Sequence, residues 1–527
     1  MRHLISLLLT GALALLPLTP SHADEAPAAT KASTNKHHGA GDAKGDDKAA
    51  DTESAVRTQH SVSIAGHTIK YTATAGTLII RDDKNEPQAS VFYVAYTVDK
   101  GSVDAGKPGK RPVTFLYNGG PGSSSVWLHM GSFGPMRIET ASPEATAPPP
   151  YHLVPNGDSL LDKTDLVFID AVGAGYSRPL GKATGKDFWG VDQDISAFSR
   201  AIQRYVSINN RWNSPKFLYG ESYGTTRSAA LVDALQDKGM AFNGVILMSS
   251  ILNYGIRTPG YDESYIGYLP SFAAAAWYHG KIPNKPADLK TFLDQVRAWA
   301  AGPYAAALAQ GQNLPANQVD AIATQMAAYT GLSVQYIKEA NLRVDPSRFR
   351  KELLRDQRLT LGRYDSRFTG TDPDAAGETP DYDASDAGIS GAFVSAFHDY
   401  LDQQLHYHSD LDYRPTYGEI IKTWDWKHKA ADMRRPLPLA YVAGDLAHAM
   451  RTNPNLKVLS VNGYYDFATP FFITEYDLAH MNLDPSLRGN LQFLYYPSGH
   501  MIYLNTAALK QLKTDLAPFY DHAAPQR

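Results

Sequence analysis

The chain has 527 residues, of which 43% are apolar and 20% charged, with a formal net charge of −4. This length and apolar fraction suffice for a large globular core. The near-neutral charge, without a long basic stretch, argues against a nucleic-acid partner. The sequence contains no cysteine, which excludes thiol catalysis and thiolate metal sites.

Residues 1–23 have the three parts of a secretory signal peptide. Arg2 and His3 precede the apolar run LISLLLTGALALLPL, and Ser21 and Ala23 are the small residues of a cleavage site. A membrane anchor is the alternative, but the run is shorter than the roughly 20 apolar residues that a spanning helix needs. We therefore expect an exported protein, periplasmic or secreted, with no stable membrane insertion.

Residues 24–59 differ from the rest of the chain in composition. They are rich in Ala, Lys, Asp, Thr and Gly and contain no Phe, Trp or Tyr. Such a segment cannot bury enough apolar surface to offset the entropy lost on ordering. We expect a disordered linker.

The pattern from residue 60 to residue 252 predicts the first part of an α/β core. Residues 60–98 alternate apolar and polar side chains, which is typical of antiparallel strands. Four apolar runs of the buried-strand type follow: PVTFLYNGG, DLVFIDAVG, KFLYG and GVILMSS. Helical segments lie between several of them, which indicates a mostly parallel sheet with helices on both faces.

The pattern changes after residue 252. Residues 253–430 are rich in Ala, Tyr, Asp and Gln and show helical periodicity without a buried-strand run. Strand patterns return in residues 431–527 with NLKVLSVNGYYD and NLQFLYYPSGH. The sequence therefore predicts a helical cap inserted between two parts of one core.

The pentad GESYG at residues 220–224 follows a predicted strand and precedes a predicted helix. It fits the G-x-S-x-G elbow, in which a sharp turn exposes a nucleophilic serine, here Ser222. The pentad alone is weak evidence, since a Gly-Ser loop has the same composition.

Two further residues complete the expected arrangement. A serine nucleophile needs a histidine base and a carboxylate that orients it, and on this elbow both follow the serine in the chain. Asp466 ends one predicted strand and His500 follows the last one. Either residue alone could be an ordinary cap or loop residue, but the three together occur in the expected order.

The stretch NGGPG at residues 118–122 directly follows an early core strand. This is where such folds supply an oxyanion donor from the backbone. Gly119 and Gly120 would allow backbone N–H groups to approach a substrate oxygen closely. A Gly-Pro turn is the alternative interpretation.

Together, NGGPGSSS, GESYG, NGYYDFATP and PSGHM resemble the four signature blocks of the serine carboxypeptidase family, which has the α/β-hydrolase fold. The resemblance implies Ser222 as nucleophile, His500 as base and Asp466 as its partner. It also implies an oxyanion hole formed by the backbone N–H groups of Gly120 and Tyr223.

The same resemblance implies a site for the substrate's terminal carboxylate at Asn118, Gly119 and Glu221. Many family members add a second Glu where this chain has Ser132, and Arg137 is a nearby alternative source of charge. Two adjacent carboxyl groups share a proton, which favours activity in acid. Without the second Glu we expect a Glu221 pKa that is less raised and an optimum that is only mildly acidic.

We therefore expect an exported serine carboxypeptidase that acts on peptides with a free C-terminus through an acyl-enzyme on Ser222, with no metal and no cofactor. An esterase or acyltransferase would use the same triad, because fold and triad do not determine the substrate. A non-catalytic binding protein is a third alternative, against which the intact triad argues.

Overall fold

The computed structural model describes residues 51–99, 110–431 and 433–524. The predicted signal peptide and residues 24–50 of the predicted linker lie outside these ranges. The strands are β1 (Ala55–Ile64), β2 (His67–Arg81), β3 (Pro87–Val98), β4 (Val113–Tyr117), β5 (Met136–Ile138), β6 (Leu153–Pro155), β7 (Asp165–Ile169), β8 (Arg178–Pro179), β9 (Lys216–Glu221), β10 (Gly244–Met248), β11 (Thr360–Leu361), β12 (Thr369–Gly370), β13 (Lys457–Gly463) and β14 (Leu491–Tyr496). The α-helices are α1 (Val126–Leu128), α2 (Val191–Ile208), α3 (Tyr223–Gln236), α4 (Glu263–Tyr278), α5 (Leu289–Trp299), α6 (Ala305–Leu308), α7 (Ala316–Thr330), α8 (Val334–Glu339), α9 (Pro346–Glu352), α10 (Ala384–Ala387), α11 (Ser390–Gln403), α12 (Gly418–Thr423), α13 (Ala443–Thr452), α14 (Phe471–Ala479) and α15 (Thr506–Ala523).

Ten strands form the central sheet, in the order β1-β2-β3-β7-β4-β9-β10-β13-β14, with β8 paired to β3. The strands β1, β2 and β3 run antiparallel, and β3 is antiparallel to β7. From β7 to β14 all neighbouring strands run parallel. The prediction of antiparallel strands leading into a mostly parallel sheet is confirmed.

Side chains of the parallel strands alternate between two cores, one on each face of the sheet. In β9, Phe217 and Tyr219 belong to one buried cluster, which also contains side chains of α11 and α15. Leu218, between them, belongs to the other cluster, with side chains of α2, α3 and α13. Because both faces are covered by helices, the parallel strands are apolar along nearly their whole length.

A third buried cluster fills the helical segment between β10 and β13. It joins side chains of α4, α5 and α7 to Tyr465, Phe467 and Phe471 from the loop and helix that follow β13. The helical segment therefore packs against the loop that carries Asp466. The last part of this helical segment packs on the sheet instead. Phe393 of α11 is buried in the first core cluster and Trp424 in the second, although the sequence assigns both residues to the cap, residues 253–430.

Part of the predicted linker is a β-strand. Strand β1 starts at Ala55 and so includes residues 55–59, which the sequence assigns to the linker. Glu53 helps to hold this end, because its carboxylate accepts from the backbone N–H of Ile79 at 3.0 Å and pairs with Arg204 at 2.7 Å. In the described parts of the chain, no helix has both the length and the apolar character needed to cross a bilayer.

Candidate active site

The candidate residues lie at one edge of the sheet. Asn118 follows β4, Ser222 follows β9, Asp466 follows β13 and His500 lies four residues beyond β14. Because these four strands run parallel, their carboxyl ends reach the same edge.

Ser222 occupies a strained turn between β9 and α3. Its backbone has φ 61° and ψ −130°, an unusual conformation for a residue with a side chain, at a cost of about 1–3 kcal/mol. The backbone N–H of Ser222 donates to Met248 O at 3.1 Å, and its carbonyl accepts from Thr225 N–H at 2.8 Å. Ser222 is partly exposed, whereas Glu221 and Tyr223 on either side are buried.

The two glycines of the pentad are explained by close packing. A Cβ placed on Gly220 would lie 2.1 Å from the carbonyl oxygen of Gly224, and one on Gly224 would lie 2.8 Å from Tyr117 O. Neither glycine has a positive φ. The glycines therefore allow β9, α3 and β4 to approach closely, and the strained dihedral falls on Ser222.

Asp466 and His500 are in direct contact. His500 Nδ1 lies 2.8 Å from Asp466 Oδ2, and both side chains are almost fully buried. The other carboxylate oxygen, Oδ1, accepts from the backbone N–H groups of Ala468 at 2.7 Å and Thr469 at 2.9 Å. The carboxylate is thereby held in the orientation in which it accepts the Nδ1 proton and leaves Nε2 of the ring as the basic atom.

The backbone of His500 is also fixed by two hydrogen bonds. Ser249 Oγ donates to the His500 carbonyl at 2.6 Å, and the His500 N–H donates to Tyr364 O at 2.6 Å. Burial lowers the pKa of His500, but the negative charges of Asp466 and Glu221 outweigh it, so the pKa is raised overall. The imidazolium that forms during proton transfer is therefore stabilised.

A buried ion pair in the inserted segment supports the loop that carries His500, and the sequence patterns did not predict it. Asp365 and Arg367 form a buried ion pair at 2.6 Å, and Arg367 Nη1 donates to Pro497 O at 2.8 Å. Both residues lie in the stretch LGRYDSRFTG at residues 361–370. Thr469 is another residue of the site that the sequence patterns did not predict. Its Oγ1 lies 2.8 Å from Asp466 Oδ2 and 3.1 Å from His500 Nδ1.

The NGGPG loop packs directly against the start of α3. A Cβ on Gly119 would lie 2.4 Å from the backbone nitrogen of Tyr223, and Gly120 has φ +102°. Within the described ranges, we find no hydrogen-bond acceptor for the backbone N–H groups of Gly120 and Tyr223. Two unpaired donors beside Ser222 are what an oxyanion hole requires.

Asn118 and Glu221 form a buried pair next to the nucleophile. Asn118 Oδ1 accepts from the Leu128 N–H at 2.8 Å, which fixes the amide so that Nδ2 donates to Glu221 Oε1 at 2.8 Å. The second carboxyl oxygen, Oε2, is buried and has no hydrogen-bond partner in the part of the chain that the structure describes.

Burial raises the pKa of Glu221 to about 7, with a smaller contribution from Asp466, while His500, Tyr503 and Asn118 act to lower it. A second Glu is therefore not needed to raise this pKa. Ser132 is turned away, since its hydroxyl donates to Leu128 O in its own helical turn. Arg137 donates to the adjacent Ile138 carbonyl at 3.3 Å.

No metal site accompanies these groups in the described ranges. No three His, Asp or Glu side chains there are grouped so that they could hold an ion.

A family model described as serine carboxypeptidase matches residues 67–490 of the chain. The chain belongs to the serine carboxypeptidase family. The matched region contains Ser222 and Asp466 and ends shortly before His500. Members of this family are hydrolases that act on peptides. A search of curated protein sequences finds no significant match.

Solved structures give the fold of this serine carboxypeptidase family member. It resembles Kex1Δp, a prohormone-processing carboxypeptidase from Saccharomyces cerevisiae, with a TM-score of 0.51 and 14% identity over 85% of this chain and 91% of that chain. A proline iminopeptidase from Mycobacterium smegmatis matches with a TM-score of 0.34 and 13% identity, over 89% of this chain and 99% of that chain. The predicted α/β-hydrolase fold is confirmed.

Proposed function

We propose that this protein removes C-terminal residues from peptides through an acyl-enzyme on Ser222. The observation that carries the proposal is the buried Asn118–Glu221 pair, in which Glu221 directly precedes the nucleophile and keeps one carboxyl oxygen unpaired. A neutral carboxyl group can donate a hydrogen bond to a substrate carboxylate, whereas an ionised one repels it. An ester substrate carries no terminal carboxylate for such a group to bind.

In the proposed acylation step, Ser222 Oγ attacks the carbonyl carbon of the last peptide bond and its proton passes to His500 Nε2. The Asp466 carboxylate stabilises the resulting imidazolium from the Nδ1 side. The oxyanion accepts hydrogen bonds from the N–H groups of Gly120 and Tyr223. The C–N bond then breaks, and His500 gives its proton to the leaving amino group.

Deacylation repeats these steps with water. His500 Nε2 takes a proton from water as the water oxygen bonds to the acyl carbon, and the bond from that carbon to Ser222 Oγ then breaks as Oγ regains its proton. The new carboxyl end of the shortened peptide is released. The same apparatus would hydrolyse an ester, so only the response to the terminal carboxylate separates the two functions.

The proposal predicts a pH dependence that Glu221 controls. Because burial raises the Glu221 pKa to about 7, the group is neutral below that pH and increasingly ionised above it. For a blocked dipeptide with a free carboxylate, kcat/KM should therefore fall as the pH rises through about 7. In Glu221→Gln the amide can accept from Asn118 through Oε1 and donate through Nε2 at any pH. The fall should therefore be largely removed, as kinetics from pH 5 to pH 9 would show.

The controls are the C-terminal amide and ester of the same dipeptide, assayed alongside Glu378→Gln, which changes an exposed carboxylate paired with Arg348. The amide should be a poor substrate, because it lacks the charge that the site recognises. Equal rates on acid and amide, unaffected by Glu221→Gln, would refute the carboxypeptidase proposal and favour the esterase.

Export remains a proposal that rests on the sequence of residues 1–23. We expect the mature chain to begin at or near Asp24, because the small residues Ser21 and Ala23 precede it as a cleavage site. Mass spectrometry of the protein from the exported fraction of its host would test this. An intact N-terminus in that fraction would contradict it.

A further inference from the structure

Tyr503, three residues after His500, is a buried tyrosine that is not part of the triad. Its side chain is 2% exposed, and its hydroxyl has no hydrogen-bond partner in the ranges that the structure describes. Leaving a buried hydroxyl unpaired is unfavourable, because the group has lost its hydrogen bonds with water. An unpaired hydroxyl at this edge of the sheet is therefore a candidate for contact with a ligand.

The position of the ring is defined by a glycine. A Cβ on Gly131 would lie 2.5 Å from the Cδ2 and Cε2 atoms of Tyr503, so the ring occupies the space that a side chain at residue 131 would need. Gly131 directly precedes Ser132. Tyr503 thus packs beside the helical turn His129–Phe133, which contains Ser132.

The hydroxyl of Tyr503 faces the Asn118–Glu221 pair. It lies near both side chains and acts to lower the pKa of Glu221. Neither Tyr503 Oη nor Glu221 Oε2 makes a hydrogen bond of good geometry, with each other or with any other described group. Two buried polar atoms with unused hydrogen-bonding capacity therefore lie side by side. Ser132 cannot donate to either of them, because its single hydroxyl proton is donated to Leu128 O.

We propose that the Tyr503 hydroxyl is a specificity-determining donor that binds the substrate's terminal carboxylate beside Glu221. This inference rests on the proposed carboxypeptidase function and adds a residue to it. In the bound state the Tyr503 O–H donates to one carboxylate oxygen, while neutral Glu221 donates to the other through its Oε2 proton. Both groups that lack partners would then be paired.

This donor differs from Glu221 in its response to pH. Burial and the Glu221 charge raise the pKa of Tyr503 well above that of an ordinary tyrosine, so the hydroxyl stays neutral. The other titratable groups around the pair include Tyr219 on β9, Tyr364 of the inserted segment and the triad residues Asp466 and His500. The site therefore keeps one donor after Glu221 ionises, so that activity on free carboxylates declines above neutral pH without ending.

Tyr503→Phe removes the hydroxyl and keeps the ring over Gly131. Since hydrogen bonds to charged groups contribute the most, we expect KM for a blocked dipeptide to rise about tenfold or more, with kcat changed much less. The ratio of kcat/KM for the free acid to that for its methyl ester should fall by a similar factor. The loss on the acid should be deeper at pH 8.5 than at pH 6, because ionised Glu221 then leaves no neutral carboxyl donor beside the substrate.

Tyr304→Phe is the matched control, since it removes another buried hydroxyl, which donates to Leu342 O at 2.6 Å in the inserted segment. It should leave the acid-to-ester ratio unchanged. If Tyr503→Phe does not fold, as judged by its circular dichroism and melting temperature, Tyr503→Met is assayed in the same way.

The outcomes separate this inference from the proposed function. A wild-type preference for the acid over the amide, combined with an unchanged acid-to-ester ratio in the Tyr503 variant, would overturn only the role of Tyr503. Equal losses on acid and ester would do the same, because they would indicate a packing role. A wild type with no preference for the free acid would overturn both proposals.

Discussion

Ser222→Ala is expected to reduce kcat by a factor on the order of 10⁶, the loss seen when a Ser-His-Asp triad loses its nucleophile. His500→Ala should cost about as much, because the two residues act as one unit. The fold should persist, since Ser222 makes its hydrogen bonds through backbone atoms. Peptide hydrolysis and covalent labelling by a fluorophosphonate would measure both effects.

Asp466→Asn should also be severe, with a loss of about 10⁴ in kcat. The Asn oxygen would face the backbone N–H groups of Ala468 and Thr469, so its NH₂ group would face His500 Nδ1. That contact favours the tautomer that carries its proton on Nε2, and this tautomer cannot accept the proton of Ser222. Near-normal activity would show that another carboxylate orients His500.

The control for these variants is Ser207→Ala, on the exposed side of α2. It should be labelled and active like the wild type. Absence of labelling at Ser222 in folded wild-type protein would refute both enzyme functions and leave the non-catalytic binding protein.

Arg227→Met is expected to lower the free energy of unfolding by about 3–5 kcal/mol. Arg227 is fully buried and donates to Asp194 at 2.6 Å and to the Asn118 carbonyl at 2.8 Å, with its guanidinium 4.0 Å from the Phe198 ring centre. Burial already raises the pKa of Asp194 despite Arg227. Without the arginine, an uncompensated buried carboxylate remains and the NGGPG loop loses a support.

Urea denaturation at pH 7 would measure this loss, and adding Asp194→Leu should recover much of it, because the double variant removes the unpaired charge as well. The matched control is Lys290→Met, which breaks the exposed pair with Asp294 and should leave the free energy of unfolding almost unchanged. A loss of the same small size in Arg227→Met would contradict the argument.

Local patterns in the sequence predicted the fold and the order of the candidate triad. The alternation in residues 60–98, the apolar runs of the parallel strands and the glycines of GESYG are short-range features, so they can be read without knowing what packs against them. The early start of β1 at Ala55 escaped this reasoning, because it depends on contacts of Glu53 with Ile79 and Arg204, which are distant in the chain.

The sequence by itself determined the fold class, the family and the residues that follow each core strand, because strand and turn signals are local. Only the tertiary structure decided the contacts of those residues and the shifts in their pKa values. It showed that burial, without a second Glu, raises the Glu221 pKa, and that Tyr503 lies over Gly131 beside Glu221. Desolvation and such contacts depend on which distant segments meet, and a sequence pattern does not contain that information.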